Sequence, residues 1–565
     1  MTAENESKGG RGVDGDADRT SLEWRSAVRG SHPGDQRVRI ARHREFRHAG
    51  PGILVPRRGV GEPKSGLGRV GLRLRRLLLG SPIPTANEAA ERVNVPKGLA
   101  VFGSDNISSS AYATEEIMRA LVLASVAALS LTLPLVFAIL VVIAIVVVSD
   151  LTVIRTYPNG GGSYVVAKDN LGQLAGLAAA AALLTDYILT VAVSISAGVA
   201  AIGSAALALG FPALLEYRVP LGVTLIFVMV LLNLRGIQES GTLFAIPVYL
   251  YILSILALIG FGLFRLVTGT MPSYQPPAEW LTEYEPHALS LFLILRAFAS
   301  GAVALTGAEA VSNGVPAFQR PEVRNAQITL VAMGTLFGTI FLGLSLLASQ
   351  LHLVPDPHES ETILSQLART LTGTGWFYFL IQFATAILLV LAGNTAFNGF
   401  PRLAGLLAHD QYLPRFFKFR GERLAHTAGI IVLAVVAILL VVIYQASVTG
   451  LIPLYTVGVF LAFTLSQSGL VRRWWRERPT GWRWRLLANG VGTAATGTVL
   501  IVVGVTKFAL GAWMVIILIP ALIGMMWAIH RHYERLHRAS QPETPLDPRD
   551  IRLRAIVPIA NLELP

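Results

Sequence analysis

The sequence predicts an all-α polytopic membrane protein of twelve transmembrane helices whose first and sixth helices are broken. Three observations carry that expectation. The chain is 565 residues long with 53% hydrophobic residues, and its mean hydropathy is +0.56, values of membrane proteins rather than soluble domains. It holds twelve stretches that each supply about 20 mostly apolar residues, the length that crosses a hydrocarbon core. Two of those stretches are interrupted by acids, hydroxyls and glycines.

In chain order, residues 1–66 form an arm rich in Gly, Arg and His with few apolar residues, which predicts disorder. The arm has no continuous apolar core, so no cleavable signal peptide is expected. The basic opening Val70-Gly71-Leu72-Arg73-Leu74-Arg75-Arg76-Leu77 reads as the true start, with Val60 or Val70 as initiator. Intact-mass analysis showing residues 1–59 present would overturn that reading. Residues 67–96 form a pre-helix segment, 97–530 the twelve-helix membrane domain, and 531–565 a short polar tail. The expected spans are 97–122, 124–149, 173–209, 219–234, 243–267, 289–312, 327–350, 376–401, 427–445, 451–471, 486–506 and 511–530.

Loop charge sets the orientation. One set of loops carries sixteen basic residues, among them Arg155, Lys168, Arg235, Arg402, Lys418 and Arg473; the alternate set carries five, Arg119, Arg218, Arg265, Arg369 and Lys507. The basic set belongs in the cytoplasm, and with it both termini. The same distribution explains the net charge of +12 without a nucleic-acid partner.

In the first span stands Ser104-Asp105-Asn106-Ile107-Ser108-Ser109-Ser110-Ala111-Tyr112. A charge at the bilayer centre costs on the order of 3 kcal/mol, and serines and asparagines compete for backbone hydrogen bonds. A broken helix at that depth needs burial in protein or a wet cavity. An acidic break suits a cation better than an amino acid, whose own carboxylate it would repel. In the third span, Asp186, Thr190 and Ser194 recur every four residues and share one helix face. The two hydroxyls alone are equally readable as packing between helices; the acid beside them favours function. The sixth span holds Thr306 and Glu309 near Gly301 and Gly307, which weaken the helix. Glu309 could otherwise be a cap near a helix end, since Ser312, Asn313, Gly314 and Pro316 follow. In the tenth span Tyr455 is a ligand or an interface anchor. Arg296 either pairs with an acid or snorkels outward.

The two breaks stand five spans apart, which points to an inverted repeat with its site at the midplane. Freed carbonyls at such breaks replace an ion's hydration shell. There is no cysteine, and no paired histidines fall in a span, so neither thiol chemistry nor a transition-metal site is expected. No nucleophile stands with a base, so the chain is not expected to be an enzyme, and no cofactor is expected. The loop Pro158-Asn159-Gly160-Gly161-Gly162-Ser163-Tyr164 lacks the ending and the preceding strand of a nucleotide loop.

That loop resembles the one after the second helix in the amino acid–polyamine–organocation superfamily. The strings Ser104 to Glu116, Thr185-Asp186-Tyr187-Ile188-Leu189-Thr190, Asn233-Leu234-Arg235-Gly236, Ala304 to Ala310 and Ile452-Pro453-Leu454-Tyr455 are similar to the KimA-type potassium importers, relatives of the Kup proteins. The likeness runs over about residues 72–530. It implies a LeuT-like fold of five-plus-five inverted repeats and proton-coupled potassium uptake at the cell membrane. It also implies a K⁺ site at Asp105, Tyr112, Asp186, Thr190, Ser194, Thr306, Glu309 and Tyr455, with Asp105, Asp186 and Glu309 as candidates for the proton. The family's importers carry a sizeable cytoplasmic C-terminal domain linked to dimerisation and cyclic-di-AMP control. Here 35 residues follow position 530, so a homodimer and that control are not carried over. The alternative is a proton-coupled amino acid or polyamine permease on the same fold; a membrane sensor is disfavoured for want of an appended domain.

Overall fold

The computed structural model describes residues 92–160, 162–235, 241–284, 288–307, 309–419 and 426–539, together with four short backbone strands between 24 and 56. The expected start near Val60 or Val70, most of the pre-helix segment and the tail from 540 lie outside the described residues, as do Gly236 and Ala308. The chain divides into two compact units, 78–541 being one and 1–77 with 542–565 the other. In the smaller unit, β1 (Trp24–Val28) pairs antiparallel with β2 (Val38–Ala41), and β3 (Phe46–Gly50) with β4 (Ile53–Pro56).

The larger unit is helical. It opens with α1 (Val95–Phe102), α2 (Ser104–Ser109) and α3 (Ala113–Val122), then α4 (Thr132–Thr156), α5 (Gly162–Leu171) and α6 (Gln173–Ala208). There follow α7 (Arg218–Leu234), α8 (Gly241–Val267), α9 (Ala278–Glu283), α10 (Leu291–Gly301) and α11 (Glu309–Asn313). The remainder is α12 (Glu322–Gln350), α13 (Ile363–Thr372), α14 (Trp376–His409), α15 (Thr427–Ile443), α16 (Val448–Glu477), α17 (Trp482–Thr506) and α18 (Ala512–Ala539). Among the described residues ten helical segments are long and apolar enough to cross a membrane, and α15 is a shorter apolar helix. The segment 95–122 is not one of the ten because it is cut into three short helices.

The breaks have local causes. In the first, the Ser108, Ser109 and Ser110 hydroxyls donate to the carbonyls of Asp105 and Ile107, competing there with the backbone. In the second, α10 passes into a 3₁₀ turn over Ala302–Leu305, Thr306 is extended, and Gly307 takes φ +76°, a conformation that favours glycine. Gly301 serves packing instead. A Cβ there would stand 2.4 Å from Ile117, so its absence lets α10 approach α3.

Burial ranks the helices. The most apolar window of α6 is 78% buried inside the protein, against 22% for α18, so α6 is an axis of the unit and α18 offers most of its surface to lipid. The α6 stretch Ala179-Ala180-Ala181-Ala182 explains the closeness: a Cβ on Gly458 of α16 would lie 3.1 Å from the Ala182 carbonyl. α14 and α16 pack most extensively along α6. Outward faces carry Phe137, Leu253, Phe383, Ile501 and Ile517, exposed apolar side chains suited to hydrocarbon.

One polar clasp lies outside the spans. Asp410, just past α14, accepts from Tyr164 OH at 2.6 Å and pairs with Lys168 Nζ at 2.5 Å. Burial pushes the Asp410 carboxyl up, but the hydrogen bonds from Lys168 and Tyr164 outweigh it and hold it below the ordinary carboxylate range. A depressed carboxyl stabilises the fold above its unfolded value of about 4, and the contribution is lost as pH falls through the folded value. Asp410→Asn should therefore lower the thermal unfolding midpoint of purified protein at pH 7. The gap from wild type should narrow as pH falls below about 4; a gap that stays constant across that acid range would remove the charge from the clasp.

Candidate functional site

The two breaks face each other across the unit. Asn106 Nδ2 donates to the carbonyls of Ala304 at 3.2 Å and Thr306 at 3.0 Å, so one side chain ties the first break to the second. Ser109 Oγ lies 3.2 Å from Thr306 Oγ1 and 3.0 Å from Tyr112 OH. A Cβ on Gly307 would stand 2.8 Å from Asp105 Oδ2 and 2.8 Å from the Asn106 backbone nitrogen. The Asp105 carboxylate therefore rests directly on the glycine of the opposite break.

The wall beside them comes from α6 and α16. Thr190 Oγ1 and Tyr455 OH are 2.9 Å apart, joining the hydroxyl stripe of α6 to α16, which carries Pro453 within it. Asp186 is one turn earlier, within electrostatic reach of Asp105 and Glu309, and Tyr455 is within reach of Asp105, Asp186 and Tyr112. Ser194, one turn beyond Thr190, is 1% exposed; among the described residues no hydrogen bond joins it to the others. Asp105, Tyr112, Asp186, Thr190, Thr306, Glu309 and Tyr455 are likewise buried.

Three buried carboxylates with incomplete bonding define what this arrangement can do. Among the described residues, Asp105 Oδ1, Asp186 Oδ1 and Glu309 Oε1 each lack a hydrogen-bond partner, as does Asn106 Oδ1. Unpaired carboxylate oxygens buried from water are costly unless a cation or a proton meets them. The donor set is oxygen throughout, the chemistry of a hard cation. Among the described residues no group of three His, Cys, Asp or Glu has metal-holding geometry. Within the same residues Arg296 is matched to no acid of the site, and its Nε has no partner.

Sequence reading singled out Asp105 and Thr306 but not the two residues that connect them, Asn106 and Ser109, although both stand in the same polar string. It also treated the glycine loop as a turn. Gly160 has φ +75°, and a Cβ on it would lie 2.7 Å from the Asn313 carbonyl; a Cβ on Gly162 would meet Asn313 Oδ1 at 1.7 Å. Those glycines let the loop close against α11, which brings Ser163 Oγ to Glu309 Oε2 at 3.1 Å. Glu309 opens α11 rather than closing a helix end.

Paired helix breaks around a cluster of buried acids inside a bundle of apolar helices define a membrane transport protein. The description "Amino acid permease" is that of a family whose profile matches residues 97–528. The chain belongs to the amino acid permease family, a family of transporters and not of enzymes. It is similar to the protein "Potassium transporter KimA" of Bacillus subtilis (strain 168), 44% identical over 461 residues that cover 81% of this chain and 74% of that one. Among solved structures, the Eremococcus coleocola manganese transporter in complex with an aromatic bis-isothiourea substituted compound is 14% identical. It covers 82% of this chain and 99% of its own at a TM-score of 0.36.

Proposed function

We propose that this chain imports potassium across the cell membrane together with protons. Twelve spans cross the bilayer in this reading, the first ten as two inverted five-helix halves of a LeuT-like fold. The observation that carries the reading is the junction of the two breaks, where Asp105 lies against Gly307 with Oδ1 unpartnered and Asn106 bonds the Ala304 and Thr306 carbonyls. K⁺ is held there by Asp105, Tyr112, Asp186, Thr190, Ser194, Thr306, Glu309 and Tyr455, with carboxylate, hydroxyl and carbonyl oxygens in place of water. The 44% identity to a protein named as a potassium transporter supports the choice of ion.

Asp105, Asp186 and Glu309 lie close enough to titrate as a set. A proton on one of them lets the site close around K⁺ without excess negative charge, and rocking of the broken helices then opens it inward. An inside-negative potential contributes about 2.3 kcal/mol per charge per 100 mV, so joint passage of two positive charges is strongly favoured. Basic loops set both termini in the cytoplasm, lipid surrounds the outward faces, and every proposed ligand comes from one chain, so no dimer is needed to complete the site.

Expression in a bacterial strain lacking its own potassium importers tests the proposal. Growth and Rb⁺ uptake at micromolar K⁺ should be restored, and a protonophore should abolish both. No rescue despite membrane expression would favour the second reading, a proton-coupled amino acid or polyamine permease, which the family's description supports. Against that reading, buried acids repel a substrate carboxylate. Within the potassium reading, Tyr455→Phe removes a hydroxyl bonded to Thr190. Loss of one such bond is worth about 1 kcal/mol, so the KM for Rb⁺ should rise about fivefold with little change in kcat. An unchanged KM would take the Tyr455 hydroxyl out of the ion's surroundings.

A further inference from the structure

A fourth carboxylate stands between the site and the side that the basic loops assign to the cytoplasm. Asp150, in the penultimate turn of α4, is 3% exposed. Its Oδ1 accepts from Gln467 Nε2 at 3.3 Å, and its Oδ2 has no partner. The Gln467 amide is oriented by its other end: Oε1 accepts from Asn489 Nδ2 at 2.7 Å and from the Ser149 hydroxyl. Asn489 Oδ1 in turn accepts from Trp474 Nε1 at 2.9 Å and Thr152 Oγ1 at 3.1 Å. The wall around Asp150 is thus built of amides and hydroxyls with fixed roles.

Among the described residues no cation offsets this acid. From α17, Arg483 and Arg485 lie over the Trp482 and Trp474 rings. From α12, Glu322 is paired with Arg92 and Arg320, and Gln327 donates to the Leu151 carbonyl. From α3, Glu115 and Arg119 pair with each other and Glu116 accepts from Thr449; from α10, Arg296 acts on Lys507. The charged group on the neighbouring short helix is Glu309, which opens α11, and α11 packs against α4. Each of these two acids keeps one oxygen unpartnered.

We infer that Asp150 is a second proton-carrying carboxylate, which receives the proton from Glu309 and delivers it to the cytoplasm. The inference rests on the proton-coupled reading above. In the step, the O–H bond of the Glu309 carboxyl breaks, the proton passes to Asp150 Oδ2 directly or through water, and Glu309 is left as a carboxylate. Asp150 then releases the proton to water on the side of the basic loops, and no electron moves.

Reconstitution of the full chain in liposomes with a pH-sensitive dye inside tests this. Exchange of internal K⁺ for external Rb⁺ needs no deprotonation of a loaded carrier, whereas net uptake does. Asp150→Asn should keep Rb⁺/K⁺ exchange while K⁺-driven acidification of the lumen falls about a hundredfold, the usual scale for a positioned proton-transfer group. Asp150→Glu should restore most of the acidification. Unchanged acidification in Asp150→Asn overturns the inference. So does parallel loss of exchange and acidification in both variants, which would make Asp150 a packing residue. Wild-type Rb⁺ uptake without acidification would instead defeat the proton-coupled reading itself, and the inference with it.

Discussion

Asp105→Asn is expected to reduce Rb⁺ uptake more than a hundredfold while the protein still folds and inserts. Removing one partner of a buried charge pair costs about 2–5 kcal/mol, and about 3 kcal/mol already exceeds a hundredfold in affinity. Asparagine has nearly the same volume, so the approach to Gly307 is preserved. Taking a charge out of a buried place relieves desolvation when no ion is bound. The variant should therefore unfold in detergent at the temperature of the wild type or above it, and K⁺ should raise that temperature less than in wild type. Normal uptake in Asp105→Asn would exclude its carboxylate from ion binding, and the junction of the two breaks would then need another role.

The helices and the polar stripe were readable in the sequence because both rest on local chemistry. Apolar runs long enough to cross a bilayer place their own ends to within a few residues, and α6 begins at Gln173, where its span was expected. Breaks announce themselves where serines and glycines interrupt such runs, and the structure divides the chain at both. Asp150 escaped because the expected second span ends at 149, whereas α4 continues to Thr156. Two hydroxyls sit within those last turns: Thr152 donates to the Ser149 carbonyl and Thr156 to that of Thr152. α14 likewise runs past the expected end at 401 to His409 with Pro401 inside it. Asn106 and Ser163 escaped for a different reason. Each acts on a partner more than a hundred residues away, and no periodicity within one helix encodes that pairing.

Gly307→Ala is expected to stop uptake per folded molecule, with a smaller effect on the amount of folded protein. A side chain at φ +76° costs about 1–2 kcal/mol, which a protein of this size tolerates. The contact is the harder constraint. The new Cβ would meet Asp105 Oδ2 and the Asn106 backbone nitrogen, each at 2.8 Å, and a backbone atom cannot swing aside as a side-chain tip can. Relief comes by separating the two breaks, which moves the carboxylate off Gly307 and pulls on the Asn106 hydrogen bonds. Since ion coordination falls steeply with displacement, a shift of about 1 Å at such a site costs on the order of a hundredfold in rate. Gly301→Ala is the matched control. Its Cβ would crowd Ile117 and Ile139 side-chain atoms at 2.4–2.6 Å, and isoleucine ends can repack at a cost in stability of about 1–3 kcal/mol. Uptake normalised to folded protein should thus collapse in Gly307→Ala and survive in Gly301→Ala. Equal losses in both would mean that the glycine beside Asp105 serves packing alone, as Gly301 does.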